Sequence, residues 1–515
     1  MTTSSSLRGL QANKTHFCAA LPHRAKTPGD VVSAGKVQRR QLGKPKEQIM
    51  LNQTALNDFK AKFRGEVIEP GSAKYDSARA VYNAMIDRHP RLIARCTNSA
   101  DVSTAVNFGR ENGLLIAVRS GGHNAAGLGV CDDGLVIDLS PIRYTHVEPS
   151  AKFVRVGGGS TWGDVDHATH AFGLAVPSGI ISTTGVGGLT LGGGLGHLTR
   201  QYGLTIDNLL AADMVLADGN CVTASEQQNP DLFWAIRGGG GNFGIVTSFL
   251  FQGRPVQTDY AGPMLWELDK AAEVMAWYRE FIANAPEDIA GFFAFLVVPP
   301  GPPFPEHLHN KKMCGIVWCY TGALDKAEQR FKPMRGFLPP ALDLVGPIPH
   351  PALQSMFDPL YPPGLQWYWK ADFVNQLSDD AVKLHAKFGA QLPTALSSMH
   401  MYPINGAAHR VGKDDSAWSY RDATWAMVIV GVDPNPAKKD AIVSWAKDYW
   451  QALHPYSAGG AYVNFMMDEG EEGVQATYRG HYERLAEIKA KYDPGNLFRV
   501  NQNIPPGKKE PGVAA

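Results

Sequence analysis

The sequence predicts an α+β protein with two domains, the second of which is an antiparallel sheet backed by helices. Its 515 residues are enough for two hydrophobic cores. Glycine is concentrated between residues 119 and 196, among strand-like and helix-like segments. After Pro255 the glycine density falls, and aromatic, strand-like runs alternate with helical patterns. We therefore place the first domain at 51–257 and the second at 258–457.

The charge balance indicates a small-molecule partner. The chain has 49 Lys and Arg residues and 49 Asp and Glu residues, so no net charge favours a nucleic acid or an anionic membrane. No apolar run reaches the roughly 18 residues that span a bilayer. The six cysteines are scattered, without the spacing of a zinc site or a disulfide framework. These features predict a soluble, cytoplasmic protein without a bound metal.

Residues 1–50 are interpreted as a flexible leader. They are rich in Ser, Thr, Lys, Arg and Gln and show little apolar periodicity. Arg39 and Arg40 are similar to the start of a twin-arginine export signal, but no apolar segment follows them. A basic transit peptide is the alternative interpretation.

The first domain is predicted to alternate helices and strands. Leu56, Phe59 and Phe63 follow helical spacing. Ser99 stands near the N-cap of the next helix. The predicted strands are 90–96, 114–118, 135–139, 153–156, 214–217 and 245–249, and the predicted helices are 99–112, 161–172 and 231–237. A hairpin turn is predicted at 218–219, which reads Asp-Gly.

The second domain is predicted from long apolar runs and helical patterns. The predicted strands are 291–298, 314–320 and 426–430, and the predicted helices are 269–284, 325–335, 378–391 and 436–453, with a final helix at 478–491. The aromatic residues on strand-like segments are Trp367, Tyr368, Trp369, Phe373, Trp418, Tyr420 and Trp425. Most are expected in the core. Any that alternate toward a ligand would favour a flat ring, a sugar or an alkaloid.

Two glycine-rich stretches predict a cradle for a phosphate-bearing cofactor. The first, Arg119-Ser120-Gly121-Gly122-His123-Asn124, lies between two predicted strands, so His123 is expected on a tight loop facing the ligand. The second covers 185–196 and reads Gly-Val-Gly-Gly-Leu-Thr-Leu-Gly-Gly-Gly-Leu-Gly. Glycine has no Cβ, so it tolerates positive φ and lets backbone N–H groups approach an anionic ligand.

A third glycine motif does not indicate a nicotinamide cofactor. Residues 239–244 match Gly-x-Gly-x-x-Gly, but they follow a predicted helix and precede a predicted strand. A Rossmann loop has the reverse order. We therefore exclude NAD.

The glycine stretches, together with Tyr-Gly-Leu-Thr-Ile-Asp-Asn at 202–208, resemble the flavin-binding core of berberine bridge enzyme-like oxidases. These enzymes have the vanillyl-alcohol oxidase-type FAD fold, with a PCMH-type FAD-binding domain. Lys-Ala-Lys-Tyr-Asp-Pro-Gly-Asn-Leu-Phe at 489–498 and Asn-Gln-Asn-Ile at 501–504 are similar to the family's terminal signature. The resemblance implies that 458–515 return to the FAD-binding domain.

The resemblance implies FAD bound covalently through His123. Many members add a bond from a cysteine, but Ile181 stands at that position here, which implies a single bond as in the 6-hydroxynicotine oxidase-like branch. Thr184 stands at the position that controls access of dioxygen. The other residues implied to hold FAD are Arg119, Ser120, Gly121, Gly122, Asn124, Gly127, Gly185, Gly188, Gly192, Gly193, Gly194, Gly196, Asn208, Gly244, Ile245, Val246, Asn501 and Asn503.

The catalytic base is not identified by the resemblance. One family solution is the second tyrosine of Tyr-x-Asn-Tyr, but 462–465 read Tyr-Val-Asn-Phe. The other is a glutamate on a strand, where Arg410 stands here. The remaining candidates are Tyr402, the first choice, and His400, Tyr368 and Tyr462. Arg410 or Lys370 would lower the pKa of such a group or orient an anionic part of the substrate. A neutral amine that needs no base is the alternative.

The resemblance implies an enzyme that transfers a hydride from a CH–OH or CH–NH carbon to the flavin and passes the electrons to dioxygen, releasing hydrogen peroxide. The protein then supplies orientation and proton removal. Two alternatives remain. One is a flavin-dependent dehydrogenase with another acceptor, and the other is a binding protein or cyclase of the same fold without redox turnover.

Overall fold

The computed structural model describes residues 51–508. The predicted leader at 1–50 lies outside the described residues. Three sheets contain most of the strands, and all but the first are wholly antiparallel. Helices and sheets of both kinds confirm the predicted α+β class. The domain boundaries at 257 and 457 remain predictions.

The first sheet contains four short strands. They are β1 (Glu66–Ile68), β2 (Leu92–Arg95), β3 (Ile116–Arg119) and β4 (Leu135–Asp138), and the helices beside them are α1 (Gln53–Lys62), α2 (Tyr75–Arg79) and α3 (Ser99–Glu111). The strand order is β1-β2-β4-β3, with β2 and β3 parallel to β4. The N-cap of α3 is Asn98, whose side chain accepts a hydrogen bond from the N–H of Asp101. The cap therefore lies one residue before the predicted Ser99.

The second sheet contains five strands in the order β5-β6-β10-β8-β9. The elements of this region are β5 (Thr145–Glu148), β6 (Phe153–Gly157), α4 (Trp162–His170), β7 (Leu174–Ala175), α5 (Val186–Leu191), α6 (Thr199–Tyr202), β8 (Leu209–Val215), β9 (Cys221–Ser225), α7 (Pro230–Ile236), β10 (Ile245–Gln252) and β11 (Arg254–Pro255). β7 and β11 form a separate pair. β8 and β9 form the predicted hairpin across 218–219.

The third sheet is the largest, with the order β15-β12-β14-β13-β18-β19-β17 and with β16 also paired to β12. Its strands are β12 (Thr258–Glu267), β13 (Ile289–Val297), β14 (Lys312–Tyr320), β15 (Leu342–Asp343), β16 (Gly346–Pro349), β17 (Gln366–Val374), β18 (Ser398–Pro403) and β19 (Trp425–Asp433). The helices in this region are α8 (Ala271–Asn284), α9 (Ala327–Phe337), α10 (His350–Gln354), α11 (Asp379–Gly389), α12 (Ala407–Arg410) and α13 (Lys439–Leu453).

The third sheet has two buried faces. Successive side chains of a strand point to opposite faces. Phe293, Met401 and Met427 lie in a core with residues of α8, α9, α11 and α13, which back the sheet as predicted. Phe292 and Tyr402 lie in a different core on the other face. That second face borders the cavity described below.

The C-terminal segment packs against the second sheet. It contains α14 (Gly470–Tyr478) and α15 (Tyr482–Tyr492). The final helix therefore begins four residues later than predicted, and the helix before it was not predicted. Buried residues of both helices share a core with Phe243 and Trp234. Lys489 donates to the carbonyl oxygens of Asn242 (2.7 Å) and Phe498 (2.8 Å) and to the Asp493 carboxylate (2.7 Å). All three of its donors are therefore used inside the protein.

Candidate active site

A cavity of about 340 Å³ is lined by the glycine-rich loops and by the third sheet. This volume is within the range of small-molecule sites. We name its two main surfaces the glycine wall and the sheet wall. The glycine wall is formed by residues within 116–129, 179–195, 240–246 and 498–502, and the sheet wall by residues within 361–369, 398–402 and 428–430. The lining is completed by Tyr82, Leu139, Tyr462, Val463, Asn464, Phe465 and Tyr478.

The two glycine-rich loops meet at Gly121 and Gly185. A Cβ on Gly121 would lie 2.4 Å from the nitrogen of Gly185, and a Cβ on Gly185 would lie 2.3 Å from the nitrogen of Gly121. Gly122 has a φ of 70°, which other residues rarely adopt. Glycine is therefore required for the contact that holds His123 at the cavity.

The glycine wall fits a large ligand with many polar atoms, such as FAD. Gly188 and Gly241 line the cavity, and a Cβ on either would meet no atom within 4 Å. The hydroxyl of Ser120 and the amide oxygen of Asn501 also belong to lining residues, and both are buried without a hydrogen-bond partner. Bare backbone and unpaired polar side chains are what a dinucleotide would contact.

His123 is held between an aromatic ring and two hydroxyls. Its ring stacks on Tyr82, with centroids 3.9 Å apart and planes at 19°. Thr183 Oγ1 lies 3.1 Å from its Nε2, and Thr184 Oγ1 lies 3.4 Å from its Nδ1. Burial lowers the pKa of His123 to about 4. The imidazole is therefore neutral near pH 7 and retains a nitrogen lone pair, which a nucleophile needs.

Arg119 is the only Asp, Glu, Lys or Arg among the lining residues of the described chain. It ends β3 beside Asp138, the last residue of β4. Its guanidinium donates to the Asp138 carboxylate at 2.9 Å, and both side chains are buried. The charge of Arg119 is thus balanced within the protein.

Thirteen of the residues predicted to hold the cofactor line the cavity. They are Arg119, Ser120, Gly121, Gly122, His123, Asn124, Thr184, Gly185, Gly188, Gly244, Ile245, Val246 and Asn501. The predicted residues outside the lining are Gly127, Gly192, Gly193, Gly194, Gly196, Asn208 and Asn503. Several of these instead allow close packing behind the wall. A Cβ on Gly194 would lie 1.9 Å from Thr205 Oγ1, and the Asn208 amide donates to the carbonyl oxygens of Tyr202 and Leu204.

Alternate residues of three neighbouring strands form most of the sheet wall. They are Trp367 and Trp369 of β17, Ser398, His400 and Tyr402 of β18, and Val428 and Val430 of β19. The intervening Met399, Met401 and Tyr368 belong to or pack against the core on the opposite face. Because side chains alternate between the two faces, the hydroxyl of Tyr402 and the imidazole of His400 lie next to each other on this face of β18.

Tyr402 and His400 form a hydrogen-bonded pair. Tyr402 Oη lies 2.9 Å from His400 Nδ1, and the ring of Phe292 lies 4.9 Å from one ring and 5.2 Å from the other. Burial raises the pKa of Tyr402 well above its usual range and lowers the pKa of His400 to about 4. Both groups are therefore neutral near pH 7. A neutral imidazole is able to accept the phenolic proton.

Tyr462 is fixed in a different way. Its hydroxyl oxygen accepts hydrogen bonds from the Gly194 N–H (2.8 Å) and the Asn464 amide (2.7 Å). Asn464 also donates to the carbonyl oxygen of Leu189 at 3.0 Å. Burial raises the pKa of Tyr462. With both lone pairs occupied, its phenol is a hydrogen-bond donor rather than a base.

The prediction that Arg410 lies on a strand near the base is wrong. Arg410 ends the short helix α12, its side chain is 61% exposed, and it pairs with Glu287. Gly406, with φ of 63°, turns the chain away after β18. Lys370 and Tyr368 also face away from the cavity, and Lys370 donates to the Glu469 carboxylate at 2.5 Å.

Sequence reasoning missed lining residues that lie far from the motifs. Tyr82 stacks on His123, and its hydroxyl donates to the carbonyl oxygen of Tyr361 at 2.5 Å, 279 residues away. No local pattern marks either tyrosine. Ser398 was detectable, because it shares the period-two face of His400 and Tyr402.

Comparison with known proteins identifies the class. Residues 90–225 match the family model of an FAD binding domain, and residues 461–505 match that of berberine and berberine-like proteins. An FAD-linked oxidoreductase of Dictyostelium discoideum is 31% identical, over 88% of this chain and 97% of its own. (R)-6-hydroxynicotine oxidase of Paenarthrobacter nicotinovorans is 28% identical, over 86% of this chain and 97% of its own.

The structural comparison gives the same class. The crystal structure of 6-hydroxy-D-nicotine oxidase from Arthrobacter nicotinovorans has a TM-score of 0.77 and 26% identity, covering 86% of this chain and 98% of that one. This confirms the predicted PCMH-type, vanillyl-alcohol oxidase-type fold. The protein is a flavoenzyme that binds FAD. The chain belongs to the berberine bridge enzyme-like family of FAD-linked oxidoreductases, in its 6-hydroxynicotine oxidase-like branch.

Two further findings concern residues 51–508 only. Within them, no helix combines the length and apolarity that crossing a membrane requires. Nor do three or more His, Cys, Asp or Glu side chains of that segment come together in a way that would hold a metal ion.

Proposed function

We propose that the protein is an oxidase with singly attached FAD, which removes a hydride from a CH–OH or CH–NH carbon and uses dioxygen as acceptor. The observation that carries this proposal is that His123, at the junction of the two glycine-rich loops, lines the same cavity as the Tyr402–His400 pair of the sheet wall. One surface is suited to hold the cofactor, and the other offers groups that move a proton.

Attachment through His123 is supported by its neutral, fixed imidazole. Stacking on Tyr82 and the two threonine contacts limit its rotation. Ile181 lines the cavity where a second, cysteinyl bond would need sulfur, and the described lining contains no cysteine. These observations support one covalent bond rather than two. The residues proposed to surround FAD are the thirteen glycine-wall residues named above.

FAD, when bound, accepts a hydride from the substrate carbon and later gives two electrons to dioxygen, which leaves as hydrogen peroxide with two protons. The substrate hydroxyl loses its proton as the hydride leaves the carbon, and a group of the protein must accept that proton. We assign this to Tyr402: its oxygen accepts the substrate proton while its own proton passes to His400 Nδ1. This transfer avoids a free phenolate in a buried, uncharged site. Tyr462 is proposed to donate a hydrogen bond and orient the substrate.

Dioxygen as the acceptor is supported by the size of Thr184. The resemblance places the oxygen-controlling position here, and the side chain lines the cavity without filling it. A dehydrogenase would have the same first half-reaction but would need another acceptor. A binding protein or cyclase would have neither half-reaction.

One experiment separates these possibilities. The purified holoenzyme is mixed anaerobically with candidate alcohols, cyclic amines and sugars, and the flavin absorbance is followed before and after air is admitted. Bleaching followed by rapid recovery and peroxide release supports the oxidase. Bleaching that only an artificial acceptor reverses indicates a dehydrogenase. If compounds bind tightly but none of them bleaches the flavin, the protein is a non-redox protein.

A further inference from the structure

His123 is supported from two sides, and both supports are attached to one distant segment of the chain. One support is Tyr82, whose ring stacks on the imidazole. The other is the turn 181–184, in which the hydroxyls of Thr183 and Thr184 lie beside the two ring nitrogens. The segment that holds both is 358–367, which leads into β17 of the sheet wall.

The backbone of the turn 181–184 is fixed by helix α4. The turn is closed by the Thr184 N–H, which donates to the carbonyl oxygen of Ile181 at 3.3 Å. The first two N–H groups of α4 donate to the carbonyl oxygens of Thr184, at 3.0 Å, and Ser182, at 2.8 Å. The N–H and the hydroxyl of Ser182 take no part in these bonds, so their position depends on a further contact.

That further contact is Asp358, which lies 176 residues later in the sequence. Its Oδ1 accepts a hydrogen bond from the Ser182 N–H at 3.0 Å, and its Oδ2 accepts one from the Ser182 hydroxyl. Hydrogen bonds to a carboxylate are roughly twice as strong as those between neutral groups. Because Thr183 and Thr184 follow Ser182 directly, Asp358 limits how far their hydroxyls move relative to the imidazole.

Tyr82 is held by the other end of the same segment. Its hydroxyl donates to the carbonyl oxygen of Tyr361 at 2.5 Å. The next residue, Asn83, is 1% exposed and exchanges two hydrogen bonds with the backbone of Trp367, both at 3.1 Å. The Tyr82 N–H donates to the carbonyl oxygen of Gly122 at 3.1 Å, directly before the histidine. The position of the stacked ring is therefore tied to the sheet wall.

Building on the proposed function, we propose that Asp358 and Tyr82 are positioning residues for the attachment of FAD, because they hold His123 where it meets the flavin. The new bond joins an imidazole nitrogen to a methyl carbon of the flavin ring. One N–H proton, one methyl proton and two electrons are released, and dioxygen takes them up as hydrogen peroxide. Neither positioning residue exchanges a proton or an electron in this step.

The geometry separates attachment of FAD from its binding. Without Asp358, the two hydrogen bonds from α4 still hold the turn, and the glycine wall keeps its other contacts. The hydroxyls beside His123 would then move more freely, and a reacting group displaced by about 1 Å loses on the order of 10²-fold in rate. We therefore expect attachment to slow while FAD still binds. A role in folding alone would instead lower the flavin content and the thermal midpoint together.

Three variants test Asp358. Asp358→Ala removes both acceptors of Ser182. Asp358→Asn keeps an acceptor for its N–H and offers an amide donor to its hydroxyl oxygen, so this variant should restore attachment. Ser355→Ala is the matched control, because the Ser355 hydroxyl lies just before the same segment and donates to the carbonyl oxygen of Pro351.

The measured quantity is the rate of attachment. The full chain is produced in riboflavin-starved cells, FAD is added in air, and samples are precipitated with acid at intervals to separate attached flavin from free flavin. In Asp358→Ala the rate should fall by at least about tenfold, with total bound FAD and thermal midpoint as in the wild type. Asp358→Asn and Ser355→Ala should attach FAD within about twofold of the wild-type rate.

A second pair of variants tests the stacked ring. Tyr82→Leu removes the ring beside His123 and should slow attachment by at least about tenfold. Tyr82→Phe keeps the ring and loses only the hydrogen bond to Tyr361, so its rate should lie between those of Tyr82→Leu and the wild type. This pair decides the question if Asp358→Ala does not fold.

The outcomes separate this inference from the proposed function. FAD that stays free in the wild type contradicts the attachment through His123, and this inference with it. Attached FAD in the wild type, with unchanged rates in Asp358→Ala and Tyr82→Leu, contradicts this inference alone. Slower attachment that is matched by an equal loss of bound FAD, or that Asp358→Asn does not restore, shows a role in folding and overturns the positioning role.

Discussion

The hydroxyl oxygen of Tyr402 lies 2.9 Å from Nδ1 of His400, and both side chains reach the cavity from one face of β18. Neither group has a charged partner in the lining. Tyr402 alone would be a poor base, because burial raises its pKa. His400 Nδ1 is within hydrogen-bonding distance to accept the phenolic proton that Tyr402 would release.

The first prediction concerns Tyr402. Replacing it with phenylalanine removes the atom that we propose accepts the substrate proton, so the rate of flavin reduction should fall by at least about tenfold with flavin content unchanged. Stopped-flow measurement of flavin bleaching gives this rate. Tyr368→Phe is the matched control, because it removes a hydroxyl from the opposite face of the sheet. Reduction at the wild-type rate by Tyr402→Phe would eliminate Tyr402 and favour a neutral amine as substrate.

The second prediction is the pH dependence caused by His400. An imidazole with its pKa lowered to about 4 is unprotonated above that pH and accepts a proton there. The reduction rate should therefore be nearly constant above about pH 5 and decline as the pH approaches 4. His400→Gln should slow reduction by about tenfold and abolish that decline. If the wild-type rate declined near pH 6.5 instead, the titrating group would be an imidazole with an ordinary pKa. That result would contradict the proposed proton transfer from Tyr402 to His400.

The sequence predicted the elements near the cofactor better than those near the substrate. The glycine-rich loops and the strands around them were predictable because local patterns specify tight turns and buried strands. The contact between Tyr82 and His123 was not, since it joins segments without a shared motif. Arg410 was misplaced because β18 ends at Pro403 and a positive φ at Gly406 turns the chain into α12, a turn that the Asn405-Gly406 dipeptide indicates and the prediction did not use.

The third prediction is covalent flavin attached at one point. Acid-precipitated wild-type protein should stay yellow, whereas His123→Ala should release its FAD into the supernatant. The reason is that His123, which lines the cavity, is the proposed point of attachment, and Ile181 has no nucleophilic atom for a second bond. Peptide mass spectrometry identifies the linked residue. A flavin peptide containing a cysteine would contradict single attachment.

The fourth prediction concerns reaction with oxygen. Thr184 lines the cavity next to His123, so a larger side chain there would narrow the path to the flavin. Thr184→Leu should slow reoxidation of the reduced enzyme by air by about tenfold or more. Anaerobic reduction serves as the internal control and should change little. Equal reoxidation rates in the wild type and Thr184→Leu would show that Thr184 does not control the access of oxygen.

The fifth prediction concerns stability. Arg421 donates to both oxygens of Asp207, at 2.8 and 2.5 Å, and both side chains are buried. Asp207→Asn would leave the guanidinium without a counter-charge, at a cost of about 3–5 kcal/mol. The thermal midpoint should fall by several degrees. Asp380→Asn breaks an exposed pair with Lys383 and should leave the midpoint unchanged. Equal midpoints for Asp207→Asn and wild type would contradict the assigned role.

Lys489 connects the C-terminal helix α15 to the glycine wall of the cavity. Its ammonium group holds the carbonyl oxygens of Asn242 and Phe498, and both of these residues line the cavity. During synthesis on a ribosome the glycine-rich loops emerge hundreds of residues before Lys489 does. The wall that would enclose the flavin is therefore incomplete until Lys489 has been translated, and we expect cofactor capture to be a late step in folding.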